Sequence, residues 1–399
     1  MAATAISPAE LVARAEALRP ALLDRQEQTE RDTRYSQETH EAFLEAGFYR
    51  MLIPRMFGGL EVDLPTFAKV TIEISRGCPS TGWGLCLTSG HALQVGSFFS
   101  EQAQVELFGT EGDFRCAAAF APRDVLTRAE DGWDLKGTFP YASGAPFSTH
   151  LLAMGISEER PVLFVVPAEQ WSVVDDWGDI LGLRGSGSNS VNLDGAHIPS
   201  RYALEGVDLL GMPPGVETPG MRLHGNPMYN HRPGGFYGIE AAAVVVGMAR
   251  GAVDEYERQI RERKTNVPPI VPRVDDPDFQ RWLGMAMSRV DAAEIMVLGA
   301  AHHFMEVCAG IPEGRPFSYE EDFRIGMLAR HALRYAWETI SDEVVRTSGT
   351  TVVRDGQRFQ RILRDMTTAW GHLYNALGDS AARELARARL GLPPTFRRS

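Results

Sequence analysis

GFYRMLIPRMFGGLEVDLPTFAKVTIEISRGCPSTGW, residues 47–83, is the stretch on which the reading of the fold turns. Pro54 and Gly58-Gly59 interrupt it, and beyond them Phe67, Val70 and Ile74 recur three and four apart, the spacing of a helix with one buried face. Upstream, Leu11, Ala15, Leu18 and Leu22 keep the same period. Residues 1–112 therefore read as an N-terminal helical domain.

After Arg115 the period shortens. RCAAAFA, GWDLKGTF, HLLAMGI, PVLFVVP, SVVDDW and SVNLDGAHIP are short apolar runs bounded by turn residues, which predicts a central β-domain of six or more strands over 113–205. Residues 206–236 are rich in Gly and Pro and read as a loop or linker, long enough to cover a site as a lid. From 237 to 399 the helical pattern returns in four long segments, 238–264, 277–310, 319–347 and 358–390, the signature of a C-terminal four-helix bundle. The order of blocks makes the chain α+β.

The bulk properties narrow the function. With 399 residues the chain can bury a large core, and its net charge of −12 argues against a nucleic-acid surface. Its four cysteines, Cys78, Cys86, Cys116 and Cys308, are too scattered for a zinc site and too few for a disulfide framework, which fits a reducing cytoplasm. The N-terminal residues lack an apolar signal core, and no run of eighteen apolar residues follows, so no membrane partner is expected. His302, His303 and Glu306 offer one His-x-x-Glu face without a second matching helix, so no metal is expected. GLRGSGSN lies between strands and opens no helix, which removes the dinucleotide-loop reading.

Several stretches carry a family likeness. The Gly-x6-Pro-x3-Gly-Gly run of 47–59 with its following helix and Ser-Thr-Gly-Trp turn, DGWDLKGTFPYASG (131–144), LGLRGSGSNSVNLDGAHIPSRY (181–202), and the C-terminal AVDEYERQIRERK, TSGTT and FQRILRD resemble the acyl-CoA dehydrogenase superfamily over nearly the whole chain. Within it, the Ala-Ser-Gly ending and Leu-Arg-Gly-Ser-Gly-Ser are closest to the two-component flavin-dependent monooxygenases of the p-hydroxyphenylacetate hydroxylase type. That likeness implies an oxygenase component that takes reduced FMN or FAD from a separate NAD(P)H-dependent flavin reductase. With O2, through a flavin C4a-hydroperoxide, it would hydroxylate a small phenolic or otherwise electron-rich molecule. It also implies a homotetramer in which each flavin touches two subunits. The alternative is an FAD-dependent dehydrogenase of acyl thioesters, but RDMTTAWGHLYNALGD (364–379) contains no Glu to serve as its base. A scaffold with a degenerate site is a further alternative.

The resemblance also implies roles for individual residues. Ser143 matches the serine facing the flavin N5 edge, although a turn serine at a strand end is the plainer reading. His372 stands where the monooxygenases carry an active-site histidine, able to take a phenolic proton or protonate the distal peroxide oxygen; a packed core histidine is its ordinary alternative. His91 and Trp83 line the substrate side, and Asn375, three residues beyond His372, is expected on the same helical face. Ala118, Ala119 and Phe120 belong to a strand whose backbone meets the isoalloxazine, with Tyr141 beside it. Arg263, among Arg258, Arg261 and Lys264, is matched to a flavin-contacting arginine. Ser348, Gly349 and Thr350 form a small-residue turn suited to a phosphate, or simply a helix cap.

Overall fold

The first helices begin where a short polar side chain satisfies their free N–H groups. Ser7, Ser36, Asp63 and Ser100 accept from the residue three further on and open α1 (Pro8–Arg31), α2 (Gln37–Ala46), α3 (Leu64–Gly77) and α6 (Glu101–Phe108). Between α3 and α6 lie α4 (Pro79–Gly90), which starts on a proline, and α5 (Ala92–Phe98). Ser80 to Trp83, read above as a turn, form the first turn of α4 instead. This is a computed structural model, and it describes residues 6–120, 126–207 and 217–395.

Among the described residues eight strands follow, in two four-stranded sheets. They are β1 (Cys116–Ala119), β2 (Thr127–Ala129), β3 (Gly132–Phe139), β4 (His150–Ser157), β5 (Arg160–Pro167), β6 (Trp171–Val173), β7 (Val191–Ile198) and β8 (Ala203–Glu205). One sheet runs β1-β4-β5-β8 and the other β2-β3-β7-β6; only the β1–β4 pair is parallel. Ala117, Leu151, Ala153 and Phe164 of the first sheet and Leu135, Phe139, Val191 and Leu193 of the second are buried in one core of their own. Between them Trp133 donates its indole N–H to Ser157 at 3.1 Å, so the ring is buried without an unpaired donor.

Past the strands the loop reading fails in part. Residues 208–216, where much of the expected lid falls, lie outside the described residues, but Pro219–His224 form α7 and α8 (Pro233–Glu262) begins before the expected boundary at 238. Gly234 and Gly235, read as helix breakers, are needed for close packing. A Cβ on Gly234 would lie 2.7 Å from Asp322 Oδ2, and Asp322 Oδ1 accepts the Gly235 N–H at 2.7 Å, which caps the helix. The helices α9 (Pro277–Gly310) and α10 (Tyr319–Glu338) pack on α8, and α10 continues through a π-helical turn, 339–344, into α11 (Val345–Ser348). The expected helix 358–390 is three pieces, α12 (Arg358–Trp370), α13 (Leu373–Ala376) and α14 (Gly378–Arg389).

Two helices, α8 and α9, are long and apolar enough to cross a membrane by composition. In α8 that surface is spent inside the protein, where Val244, Val245, Val246 and Met248 are buried, whereas α9 turns Met285, Met287 and Ile295 outward.

The α3–α8 contact depends on glycine. A Cβ on Gly247 would stand 2.4 Å from Ile72 O and 2.6 Å from Ser75 Cβ. Gly247→Ala is expected to lower stability by about 2 kcal/mol in urea unfolding. Gly299→Ala, on α9 with nothing within 4 Å of its Cβ position, is expected to be neutral or stabilising by up to about 1 kcal/mol. Equal effects at the two sites would contradict this packing.

Candidate active site

The chain leaving β3 turns sharply under Ser143. Tyr141 has φ 62, and Gly144, at φ 75, leaves no space for a side chain because a Cβ would meet Thr88 Cγ2 at 2.2 Å. The turn is thereby pressed onto α4, where Trp83 donates its indole N–H to Ser143 Oγ at 3.0 Å. Ser143 Oγ also shares a hydrogen bond with Ser188 Oγ at 2.8 Å, and Ser188 another with Ser186 Oγ at 2.6 Å. Three side chains fix one hydroxyl, two directly and Ser186 through Ser188, and Ser143 and Trp83 each keep only 6% of their surface exposed.

His372 joins this group edge-on, its ring centroid 5.2 Å from that of Trp83. It does not lie inside a helix, as expected, but caps α13, where its Nδ1 accepts the Tyr374 N–H at 3.3 Å. An accepting Nδ1 puts the proton of the neutral ring on Nε2. The residue is exposed as a whole, yet desolvation of its imidazole lowers the pKa. Its turn is pinned from behind. Tyr374 donates its hydroxyl to Gly326 O at 2.8 Å, and Gly238 leaves the room, since a Cβ there would be 2.2 Å from that oxygen. Asn375 does not share a helical face with His372. Its amide donates to Ala369 O and Trp370 O, both at 3.1 Å, and closes the end of α12, because Gly371 and His372 break the helix that the spacing argument assumed.

A second wall stands on β1. His91, buried between α4 and α5, is 2.7 Å from Cys116 O through Nδ1; a carbonyl only accepts, so Nδ1 carries the proton and Nε2 is the acceptor. Burial depresses its pKa to about 4. The ring lies 5.7 Å from Phe120 and 6.4 Å from Tyr237, and Phe120 and Tyr237 are 5.6 Å apart. Ala118 and Phe120 are half-buried on this strand and Ala119 is buried; Ala121 and Pro122 lie outside the described residues. Tyr237 was missed by the sequence reading, since it fell at the edge of the supposed loop. Its hydroxyl is buried and has no hydrogen-bond partner among the described residues.

The remaining expected residues fall elsewhere. Tyr141 is exposed and meets Trp177 edge-on at 5.8 Å. Arg263 ends α8 beside Arg273, a buried arginine the sequence reading passed over. Arg273 donates to Lys264 O and Ser348 O, and burial, then the neighbouring Arg263 charge, lowers its pKa. A Cβ added at Gly349, at φ 86, would lie 4.0 Å from Arg273 Nη2, so Arg263, Ser348 and Gly349 gather around a second guanidinium, with Thr350 next in the chain. Among the described residues neither arginine has an ion pair. Among the described residues no hydrogen bond or ion pair joins this cluster to Ser143.

Comparison with known proteins places the chain. Residues 13–107 match the acyl-CoA dehydrogenase N-terminal domain and residues 239–376 the acyl-CoA dehydrogenase C-terminal domain. It is 30% identical to a pigment production hydroxylase of Rhodococcus sp. (strain ATCC 21145), over 97% of this chain and 98% of that one. This chain belongs to the acyl-CoA dehydrogenase family. It is also 29% identical to the oxygenase subunit HsaA of a flavin-dependent monooxygenase of Rhodococcus jostii (strain RHA1), over 91% and 94%. The crystal structure of 3-HSA hydroxylase from Rhodococcus sp. RHA1 superposes with a TM-score of 0.86 at 27% identity, over 97% and 98%.

The protein is the oxygenase component of a flavin-dependent monooxygenase, working with reduced flavin and oxygen. The thioester-dehydrogenase alternative finds no support in these relatives. The residues present fit such a cofactor: a fixed serine hydroxyl, a strand of alanines without large side chains, a buried tyrosine hydroxyl without a partner among the described residues, and a desolvated guanidinium, Arg273, beside Arg263. His303, in the rejected metal motif, has its ring 2.8 Å from Glu321.

The depressed His91 pKa has a consequence for stability. Folded His91 stays neutral down to about pH 4, whereas in the unfolded chain it protonates near its ordinary 6.5. Unfolding therefore takes up a proton between those values, and stability is lost as pH falls through that window. His91→Gln is expected to flatten the pH dependence of the urea midpoint between pH 6.5 and 4. An unchanged slope would contradict the neutral, carbonyl-bound ring.

Proposed function

We propose that this oxygenase hydroxylates a small phenol held between the two histidines, with the flavin edge at Ser143. The observation that carries the reading is the opposite tautomers of those rings. His91 offers an acceptor nitrogen, which suits a phenolic O–H, and His372 offers an N–H donor, which suits an oxygen in need of a proton. Reduced flavin with O2 supplies the electrophilic oxygen. Ser143, fixed by Trp83 and Ser188, holds the N5 edge, and Ala118, Ala119 and Phe120 back the ring. Tyr237 closes the pocket with a hydroxyl free for substrate, and Trp83 and Phe120 help to keep water out.

The paired Arg263 and Arg273, with the turn at Ser348 to Thr350, are proposed to take the flavin phosphate. With the flavin edge at Ser143, the cofactor would be shared between subunits of a homotetramer, in keeping with the apolar outward face of α9. A separate NAD(P)H-dependent reductase would deliver FMN or FAD. Four free, buried cysteines suit a cytoplasmic location.

The test is reconstitution with a flavin reductase, NADH, FMN or FAD, and a panel of phenols under 18O2. One labelled oxygen is expected in the product. Ser143→Ala is expected to raise the share of oxygen released as hydrogen peroxide by roughly fivefold to tenfold, and His91→Asn to raise KM for phenols by about tenfold. Product oxygen derived from water, or a peroxide share unaffected by Ser143→Ala, would overturn the proposal.

A further inference from the structure

Between β6 and β7 the chain runs from Val174 to Ser190 and carries the hydroxyls that hold Ser143. Its conformation is not one its own sequence favours. Leu183 has φ 56, a left-handed backbone that a leucine rarely adopts, so something outside the loop must impose it.

That constraint is α12. Asp365, buried there, accepts the Leu183 N–H at Oδ1 at 2.5 Å, while Leu183 O accepts the Trp177 indole N–H at 3.1 Å. Gly182 lies directly on the helix: a Cβ would be 2.2 Å from the Arg364 carbonyl and 2.5 Å from Asp365 N. Arg364 donates to Leu181 O at 2.8 Å.

The loop is also continuous with the flavin-side turn. Gly144 N–H donates to Ser186 O at 3.0 Å and Ala145 N–H to Gly187 O at 3.2 Å, alongside the chain of serine hydroxyls from Ser186 to Ser143. Asp365 Oδ2 receives a long hydrogen bond, 3.5 Å, from Ser80, one turn before Trp83 on α4. One carboxyl thus touches both the loop that carries Ser188 and the helix that carries Trp83, the two partners of Ser143.

We propose that Asp365 is a positioning residue whose carboxyl locks residues 181–188 onto α12 and so fixes the Ser188–Ser143–Trp83 group that receives the reduced flavin. The inference rests on the flavin-edge role proposed above for Ser143. The groups facing Asp365 are Arg361 and Arg364 on its own helix, Glu30 on α1, Leu183 and Arg184 on the loop, and Cys78 and Ser80 at the start of α4. Glu30 takes up the arginines, with Arg361 at 2.7 Å, Arg364 at 2.6 Å and Arg184 at 3.5 Å, so no guanidinium is committed to Asp365. Burial raises its pKa to about 7, against the pull of the Leu183 N–H and Arg364. A charged carboxylate is the stronger acceptor, so the lock tightens as pH rises through neutrality and loosens below it.

Hydrogen–deuterium exchange on the flavin-free protein tests the lock without any catalysis. In the wild type the protection factors of residues 181–188 are expected to rise about tenfold from pH 6 to pH 8, and in Asp365→Asn to stay low at both. Protection in 181–188 that ignores pH in the wild type would overturn the lock; if Asp365→Asn does not fold, the wild-type series alone decides. The functional link is read in the reconstituted enzyme, where Asp365→Asn is expected to raise the peroxide share severalfold and to add nothing to Ser188→Ala. Additive effects of the two substitutions would place Asp365 outside this route, whatever substrate the enzyme takes. Failure of the wild type to hydroxylate any phenol would count against the proposed function, leaving the exchange result to stand by itself.

Discussion

Ser143 Oγ accepts the indole N–H of Trp83 and shares a hydrogen bond with Ser188, and around these contacts the three parts of the chain meet. Trp83 belongs to the early helices, Ser143 and Ser188 to the strand region, and the ring of His372 lies against Trp83 from the C-terminal helices. A hydroxyl so held cannot rotate freely to follow a ligand. It is organised before any flavin arrives, which is what a site needs if its hydrogen bond must be in place while oxygen reacts.

The two histidines extend the same logic to protons. Their backbone partners differ in kind, a carbonyl for His91 and an N–H for His372, and that difference alone sets which ring accepts and which donates. Desolvation lowers the pKa of both imidazoles, so neither role needs a charged ring at rest. On this account the protein divides two proton tasks between two rings.

The sequence made part of this legible. Periodicity located the early helices and the strand region, and the family likeness picked out Trp83, Ser143 and His372, which the fold brings into one group, and His91, which it sets against Phe120 and Tyr237. It failed where glycine has a tertiary purpose. Gly234 and Gly235 looked like loop residues because their value lies in letting Asp322 and Ile325 approach, and no local pattern shows that. Gly371 and His372 fell inside a periodic stretch, so the break after Trp370, the tautomer of His372 and the capping use of Asn375 stayed hidden. Tyr237, Arg273 and Asp365 were invisible for a related reason: each matters through a partner far away in sequence.

The most direct test of the central claim is a crystal structure of the protein soaked anaerobically with reduced FMN or FAD. The flavin N5 is expected within about 3.2 Å of Ser143 Oγ, with Trp83 and Ser188 still hydrogen-bonded to that oxygen. A flavin bound with its ring remote from Ser143, or a Ser143 released from both partners to reach it, would contradict a preorganised site.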